Sequence, residues 1–491
     1  MTAQIPPTLL KLARQALLRN ETLDMSALDK LPMELLPTLF MEAFTGRHTM
    51  TVKAMVAAWP FPCLLMGALM KTLDLEPFQA VLAGVDMWLQ RKFHPRGKLQ
   101  VLELRKKQHE FWSIRAGAED GDCSAETPDE QQVVKVLPRY ALRWHLKVVD
   151  DLCLMPCVDE EQTCFLQWVE QRKGSIQFCC MKMTIWALPF HVIHEVMNVF
   201  HPEHFREFAL NTEWNMFMMA RFAPCLGQMR NLHKLLLVPI YNNVFKISNR
   251  TTDREDKCIN KLISQFSRFS CLQHLCLKSI YFLRDGINQV FRSLMTPLET
   301  LSITYCHISQ ADLNYFSECP KLFQLTHLDM KGVPLKALDL MPFRVLLENV
   351  AHILQSLDLK GCRMKDSHLT GLIPALSKCS QLAKVSFYYN DFSMPILMVF
   401  LQHTANLSKS VTDTLQPLDK KGCRMKDSHL IVLIPTLSKC SQLAKVNFYG
   451  NDFSMPILID FLQHTANLRK MNVEDYHPYY QVQDHVGSII P

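Results

Sequence analysis

The sequence predicts an α/β solenoid, and three observations predict it. Phrases of the form Leu-x-x-Leu-x-Leu-x-x-(Cys/Asn)-x-Leu start at Leu298, Leu325, Leu354, Leu382, Leu415 and Leu443, with spacings of 27, 29, 28, 33 and 28. Between the phrases, apolar residues recur at helical spacing. Beneath both lies a duplication: Leu354 to Lys409 returns as Leu415 to Lys470, displaced by 61 positions, with about ten differences over 56 residues. The shorter period is that of a leucine-rich repeat, in which one strand and one helix alternate and no unit buries its apolar face without a neighbour. The expected architecture is a horseshoe of ribonuclease-inhibitor-like repeats behind an N-terminal helical region.

Each element follows in chain order. Leu9, Leu12, Ala13, Ala16 and Leu17 line one helical face, and residues 1–105 read as a compact helical region. Gly117 to Gln132 is acidic and polar, which makes 106–135 a solvated loop. Residues 136–174 read as connecting helices, 175–473 as the solenoid and 474–491 as a short tail. Weaker repeat phrases at Leu232-x-x-Leu235-x-Leu237 and Leu272-x-x-Leu275-x-Leu277, and the stretch Ile176 to Met183, carry the array upstream.

Within a repeat such as Leu354-x-x-Leu357-x-Leu359-x-x-Cys362, Leu357 and Leu359 point inward from a short strand. The ninth residue closes the turn by bonding backbone that is otherwise buried unpaired. That position reads Cys306, Val333, Cys362, Asn390, Cys423 and Asn451. The helix follows: Asp366-Ser367 is the expected N-cap, Leu369, Leu372, Ile373 and Leu376 form the stripe, and Pro374 bends it. In the alternate repeat Ser393 precedes Pro395, and Leu397, Phe400 and Leu401 form the stripe. The duplicated block adds two repeats, and its second copy is the poorer. Leu359 has become Lys420 at an inward position and Ser356 has become Pro417, so the junction from Ser408 to Lys421 is the expected weak point.

Composition excludes several classes. The chain has 491 residues, 48% hydrophobic and 20% charged with only 15 Gly, which is neither disordered, collagen-like nor a small disulfide scaffold. Its net charge of +6 is scattered rather than clustered, so no phosphate-tracking surface and no direct nucleic-acid contact is indicated. Seventeen cysteines without a secretory signal predict reduced thiols in the cytoplasm or nucleus. The longest apolar run, Met55 to Met70, contains Pro60 and Pro62 and falls short of the roughly 20 residues a membrane span needs.

No Gly-rich phosphate loop or nucleophile elbow occurs, so an enzyme is not expected, nor is a cofactor. Cys153 with Cys157, and His201 with His204, lack a second pair at zinc spacing and read as buried thiols and surface imidazoles rather than a metal site. Cys179-Cys180 reads as core. Leu232-His233-Lys234-Leu235-Leu236 matches a Leu-x-x-Leu-Leu recognition box, but its leucines already serve the repeat strand. The strand residues between inward leucines face the concave side: His327, Asp329 and Lys331; Ser356, Asp358 and Lys360; Lys384, Ser386 and Tyr388; Lys445, Asn447 and Tyr449. They are the candidate substrate surface, with Tyr388 and Tyr449 as anchors.

Several longer phrases together resemble one family. Leu31-Pro32-Met33-Glu34-Leu35-Leu36-Pro37-Thr38-Leu39-Phe40, Gly46-Arg47-His48, Ala54-Met55-Val56-x-x-Trp59-Pro60-Phe61, Lys98 to Arg105, Pro297 to Thr304 and Leu401-Gln402-His403-Thr404 resemble the PRAME family (preferentially expressed antigen in melanoma), over about Leu9 to Val473 and most like its rodent oogenesin-type members. The family usually holds one copy of the segment duplicated here. The resemblance implies a leucine-rich substrate receptor of a cullin-2 RING ubiquitin ligase, recruited through elongin B/C, with roles in transcriptional repression, apoptosis, proliferation and differentiation. Elongin-binding boxes read small-Leu-x-x-x-(Cys/Ala/Ser)-x-x-x-aliphatic, and Thr8, Leu9, Ala13 and Leu17 fit; any amphipathic helix with a small residue fits as well. For cullin, Leu31, Pro32 and Leu35 are the candidates, although Glu34 stands where an apolar residue is expected; the phrase also reads as F-box-like or as a helix start. The alternative function is a leucine-rich scaffold that represses transcription without ligase contact.

Overall fold

The computed structural model describes residues 8–19, 28, 30–67, 69, 75–90, 98–105, 146–156, 160–239, 253–283, 286–404, 427–437 and 454–465. The chain divides into two compact units, Met1–Met183 with Val192–His204, and Thr184–His191 with Phe205–Pro491.

The first unit opens with helices α1 (Leu9–Arg19), α2 (Leu36–Thr45), α3 (Thr49–Ala57) and α4 (Leu75–Gln90), and α5 (Glu160–Gln171) follows later. Among them run strands β1 (Cys63–Leu65), β2 (Val101–Glu103), β3 (Leu146–Leu154) and β4 (Ile176–Trp186), the last of which crosses the unit boundary in sequence. Helices α3 and α4 approach so closely that a Cβ at Gly84 would lie 2.7 Å from the Lys53 carbonyl and from Val56 Cβ, which is why glycine stands there. Trp59, fully buried, packs edge-on to Phe40 at 5.3 Å and donates from Nε1 to the Cys63 carbonyl at 3.0 Å, fixing the start of β1. Asp86 of α4 accepts from Trp168 Nε1 at 3.1 Å and pairs with Arg172, tying α5 to it.

Strands β1, β2 and β3 are parallel, with Leu64 opposite Leu102 and Leu102 opposite Val148, all three fully buried. Strands thus occur inside two stretches read as helical. Residues 1–105 are not purely helical, 136–174 contains a nine-residue strand rather than helices alone, and parallel pairing begins upstream of 175. The physical reason is that β1 and β2 have three residues each and are held by partners tens of positions away, which no local window of sequence displays.

The second unit is the regular part. Strands β5 (Glu207–Thr212), β6 (Lys234–Pro239), β7 (His274–Leu277), β8 (Thr300–Ser302), β9 (His327–Asp329), β10 (Ser356–Asp358) and β11 (Lys384–Ser386) pair in parallel and in chain order. Their inward column is Phe208, Leu235, Leu275, Leu301, Leu328, Leu357 and Val385, each at most 2% exposed. Burying one such side chain stabilises the fold by about 1.5–3 kcal/mol. After the boundary-crossing α6 (Phe190–Met197), the helices are α7 (Met216–Leu226), α8 (Asp253–Ile263), α9 (Ile287–Ser293), α10 (Gln310–Phe316), α11 (Met341–Asn349), α12 (Asp366–Leu376), α13 (Met394–Thr404), α14 (Asp427–Leu437) and α15 (Met455–Thr465). From α9 onward each packs on the next, so α14 and α15 of the second copy continue the stack begun by α12 and α13 of the first. The α/β leucine-rich solenoid is therefore the architecture, while the junction from Ser408 to Lys421 lies outside the described residues.

Two positions of the repeat do most of the turning. At the ninth, Asn390 is buried and donates from Nδ2 to the Leu359 and Phe387 carbonyls, both at 2.8 Å, while its Oδ1 accepts from Met364 N at 2.9 Å. Cysteine makes a weaker version: Cys362 Sγ donates to the Met330 carbonyl at 3.2 Å and Cys306 Sγ to that of Leu277 at 3.4 Å. At the eighth, Ser279, Tyr305, Gly332, Gly361 and Tyr389 all have positive φ, between 54° and 72°. Glycine relieves the strain at two of the five, and at Gly332 a Cβ would also strike the Tyr305 ring at 2.3 Å.

Helix starts stitch neighbours together. The expected cap role of Asp366-Ser367 is corrected: Asp366 is already inside α12, and its carboxylate accepts the Ser393 N–H at 2.8 Å from the following repeat. The second copy repeats the bond, Ser454 N to Asp427 at 2.7 Å. Asp312, fully buried, caps α10 with Ser309 and accepts Asn288 N at 3.0 Å from the preceding repeat.

Candidate interaction surfaces

Among the described residues, two side chains anchor helix α1. Leu18 is buried, and Arg14 bridges to Glu42 of α2 at 3.0 Å. Away from these anchors the helix shows apolar area to solvent: Leu9 is 84% exposed, Leu10 and Leu12 about half, Ala13 is exposed and Leu17 half-buried. Leu9, Ala13 and Leu17 fall at i, i+4 and i+8, hence on one stripe. Thr8 has a different task, since its Oγ1 accepts the Lys11 N–H at 3.3 Å and caps the helix.

The cullin candidates sit in a tight turn. The Leu35 N–H bonds the Pro32 carbonyl at 3.1 Å, and a short 3₁₀ helix, Met33–Leu35, leads into α2. Leu31 and Leu35 are half-buried, whereas Pro32 and Glu34 are exposed. Pro37 rather than Pro32 takes the first-turn position of α2. Exposure of Glu34 means that its charge costs the fold nothing at that position.

On the concave side of the second unit the strands bring His327, Ser356 and Lys384 into one row, and Asp329, Asp358 and Ser386 into the next. Lys331, Lys360 and Tyr388 follow as a third. His327 and Lys384 are exposed, Asp329 and Tyr388 half-buried. Ser302 Oγ donates to Asp329 Oδ2 at 3.1 Å, and the N–H of Lys331 donates to its Oδ1 at 3.0 Å. Burial, then the carboxylate of Asp358 one strand away, pushes the Asp329 carboxyl above its ordinary range. Lys445 and Tyr449 lie outside the described residues.

The remaining motifs resolve by burial. Leu232 and Leu235 are fully buried, Leu235 and Leu236 lie in β6, and the Leu-x-x-Leu-Leu phrase is a strand edge rather than a helical box. Burial holds the Cys179 and Cys180 thiols above their ordinary range, so neither is a ready thiolate. His201 and His204 face each other at 5.7 Å, and burial, then the His201 charge, lowers the His204 pKa. Among the described residues no three His, Cys, Asp or Glu side chains group as metal ligands, and no helix is long and apolar enough to cross a membrane.

Sequence reasoning missed Tyr305 and Tyr389, which stand exposed at the eighth position because its left-handed backbone turns their side chains out of the alternation. Glycine at the same position in neighbouring repeats, Gly332, Gly361 and Gly450, was the available signal.

Comparison with known proteins agrees with this layout. The profile of the PRAME N-terminal domain matches residues 6–112, and that of the PRAME C-terminal domain matches residues 146–413 and again 409–490. The chain belongs to the PRAME family. Among its relatives, human PRAME family member 12 is 42% identical over 411 residues, covering 83% of this chain and 84% of that one. Mouse preferentially expressed antigen in melanoma-like protein 7 is 38% identical over 442 residues, covering 89% and 90%. The second match of the PRAME C-terminal profile, 409–490, covers the second copy of the duplicated block. Among solved structures, the yeast Rad7 and Elc1 complex aligns at a TM-score of 0.39 and 13% identity over 91% of this chain and 90% of that one. An internalin from Listeria monocytogenes aligns at 0.35 and 13% over 68% and 79%. At those scores the PRAME solenoid rests on its own strand pairing.

Proposed function

We propose that the chain is the substrate-recognition subunit of a cullin-2 RING ubiquitin ligase. In this reading α1 docks elongin B/C, the turn at Leu31, Pro32 and Leu35 meets cullin-2, and the concave face of the second unit takes the substrate protein. The protein acts as a leucine-rich scaffold with no chemistry of its own, in the cytoplasm and nucleus, and its substrates belong to the control of transcription, apoptosis, proliferation and differentiation. The observation that supports the reading is the exposed stripe of Leu9 and Ala13 on a helix anchored through Leu18 and Arg14. An exposed leucine backed by a small residue is what a partner helix needs for close approach.

The test is a Leu9→Ser, Ala13→Asp double variant. Because both side chains are exposed, its thermal midpoint stays within about 2 °C of the parent. Co-purification of elongin B/C and cullin-2 from cells should be abolished. Undiminished co-purification by this folded variant refutes docking through α1, and absence of both proteins from the parent's own purification favours the scaffold that represses transcription without ligase contact.

A further inference from the structure

We propose that the concave face of the second unit binds an extended, Asp/Glu-rich polypeptide segment along the row formed by Lys278, Lys331 and Lys360. The inference rests on the receptor reading above and names the chemistry of its substrate. The three lysines stand at the seventh position of their repeats, two residues beyond the positions paired in β7, β9 and β10, and all are solvent-accessible. None of their ammonium groups has a carboxylate within ion-pair distance among the described residues.

The nearest acids are already engaged by backbone. Asp329 Oδ1 accepts the N–H of Lys331 at 3.0 Å, and Asp358 Oδ1 that of Lys360 at 2.9 Å, so each carboxylate folds onto the lysine's main chain and leaves its ammonium free. Two of the three ammonium groups rest on aromatic faces instead. Lys331 Nζ lies 5.8 Å from the Tyr305 ring, and Lys360 Nζ lies 4.4 Å from that of Tyr388 and 5.3 Å from that of Tyr389. A ring orients a cation without neutralising it. Gly332 and Gly361 follow two of the lysines and add no side chain to cover them.

Charge complementarity then selects an anionic partner. In an extended chain alternate side chains share a face about 7 Å apart, a spacing that flexible lysines reach from the neighbouring β9 and β10, while Lys278 stands two strands from Lys331 with Thr304 at the position between them. Asp329 and Asp358, two residues back on the same face, select polypeptide over nucleic acid. A phosphodiester backbone brings an anion at every step and meets their repulsion, whereas a polypeptide can place an uncharged or basic residue there.

The experiment uses the full-length protein and a fluorescein-labelled peptide of alternating Glu and Ala, followed by anisotropy at low salt. Saturable binding is expected that weakens as salt rises, with a loss of roughly tenfold or more in a Lys331→Gln, Lys360→Gln double variant. Lys257→Gln on the exposed side of α8 should change nothing. The Gln variants remove charge but keep the side-chain stem, and an unchanged circular-dichroism spectrum confirms their fold. No saturable binding, equal affinity in the double variant, or an oligouridylate RNA that outcompetes the peptide for the same lysines overturns the proposal. Elongin capture by the same variants reads the ligase assignment separately, since the lysines lie far in sequence from α1.

Discussion

At the scale of single residues, the repeat is held by whatever occupies its ninth position, and the three side chains found there form a graded series. Asn390 makes three hydrogen bonds inside the core, Cys362 makes one short contact to the Met330 carbonyl, and Val333 has no polar side-chain atom to offer. Asn390→Ala therefore strands two carbonyls and one N–H and should cost about 2–4 kcal/mol, against about 1 kcal/mol for Cys362→Ala, read from urea midpoints. Equal losses would mean that volume rather than hydrogen bonding sets the cost. This position was legible because its chemistry recurs in register. The eighth is defined by backbone conformation: Tyr305 and Tyr389 do not announce a positive φ by residue type, and only the glycines of neighbouring repeats do. The concave carboxylates allow a test with the opposite sign. Burial, and then Asp358, raise the Asp329 pKa in the folded protein above its unfolded value, so the folded state binds more protons and its stability falls as pH rises through that window. At neutral pH the penalty is fully present. Asp329→Asn keeps an acceptor for the Lys331 N–H and removes the charge; it should raise the thermal midpoint at neutral pH, with the gain fading as pH falls below about 3, where the carboxyl is protonated in both states. A gain of the same size at both pH values would assign the effect to packing.

At the scale of elements, strands β6 to β11 and the stretch of β4 were readable whereas β1, β2, β3 and β5 were not, and the difference lies in how each strand is specified. From Leu272 onward an inward leucine column is announced by phrases 26 to 33 residues apart. In the first unit, β1 has only Cys63-Leu64-Leu65 beside Pro60 and Pro62, and its pairing to β2 crosses nearly forty residues. The candidate sites divided in the same way: the α1 stripe and the concave rows followed from periodicity, whereas the 3₁₀ turn at Met33–Leu35 depends on packing that periodicity does not encode. The duplicated block tests how far the repeat phrase alone determines a strand. In the first copy Leu359 is fully buried, and the Ser356 N–H bonds the Thr326 carbonyl at 3.1 Å. Their counterparts, Lys420 and Pro417, supply a charge for the first role and no N–H for the second. Reverting both, Lys420→Leu with Pro417→Ser, should stabilise the C-terminal end of the array by about 1–3 kcal/mol and slow proteolysis between Ser408 and Lys421. Cleavage there at the parent's rate would show that the second copy does not rebuild the strand.

At the scale of the whole molecule, a solenoid is a chain of nearest-neighbour contacts, so its stability is a sum of repeat and interface terms and its weakest interface decides where it comes apart. Helices α14 and α15 continue the stack from α13, which makes the second copy an extension of the array. The chain supplies its own control, because Gln402-His403-Thr404-Ala405-Asn406-Leu407 recurs as Gln463-His464-Thr465-Ala466-Asn467-Leu468. Deleting residues 404–464, which are 61 in number, joins His403 to Thr465 and leaves the local sequence unaltered. With Lys420 and Pro417 in place, the full chain should unfold in two urea transitions, the first being loss of the repeats beyond α13, and the shortened chain should show only the second. The midpoint of that shared transition should be unchanged, since repeats distant from the deletion keep every neighbour they had. If the deletion instead lowers that midpoint, the second copy contributes to the stability of the array as a whole, and the defect at Lys420 is compensated by contacts elsewhere.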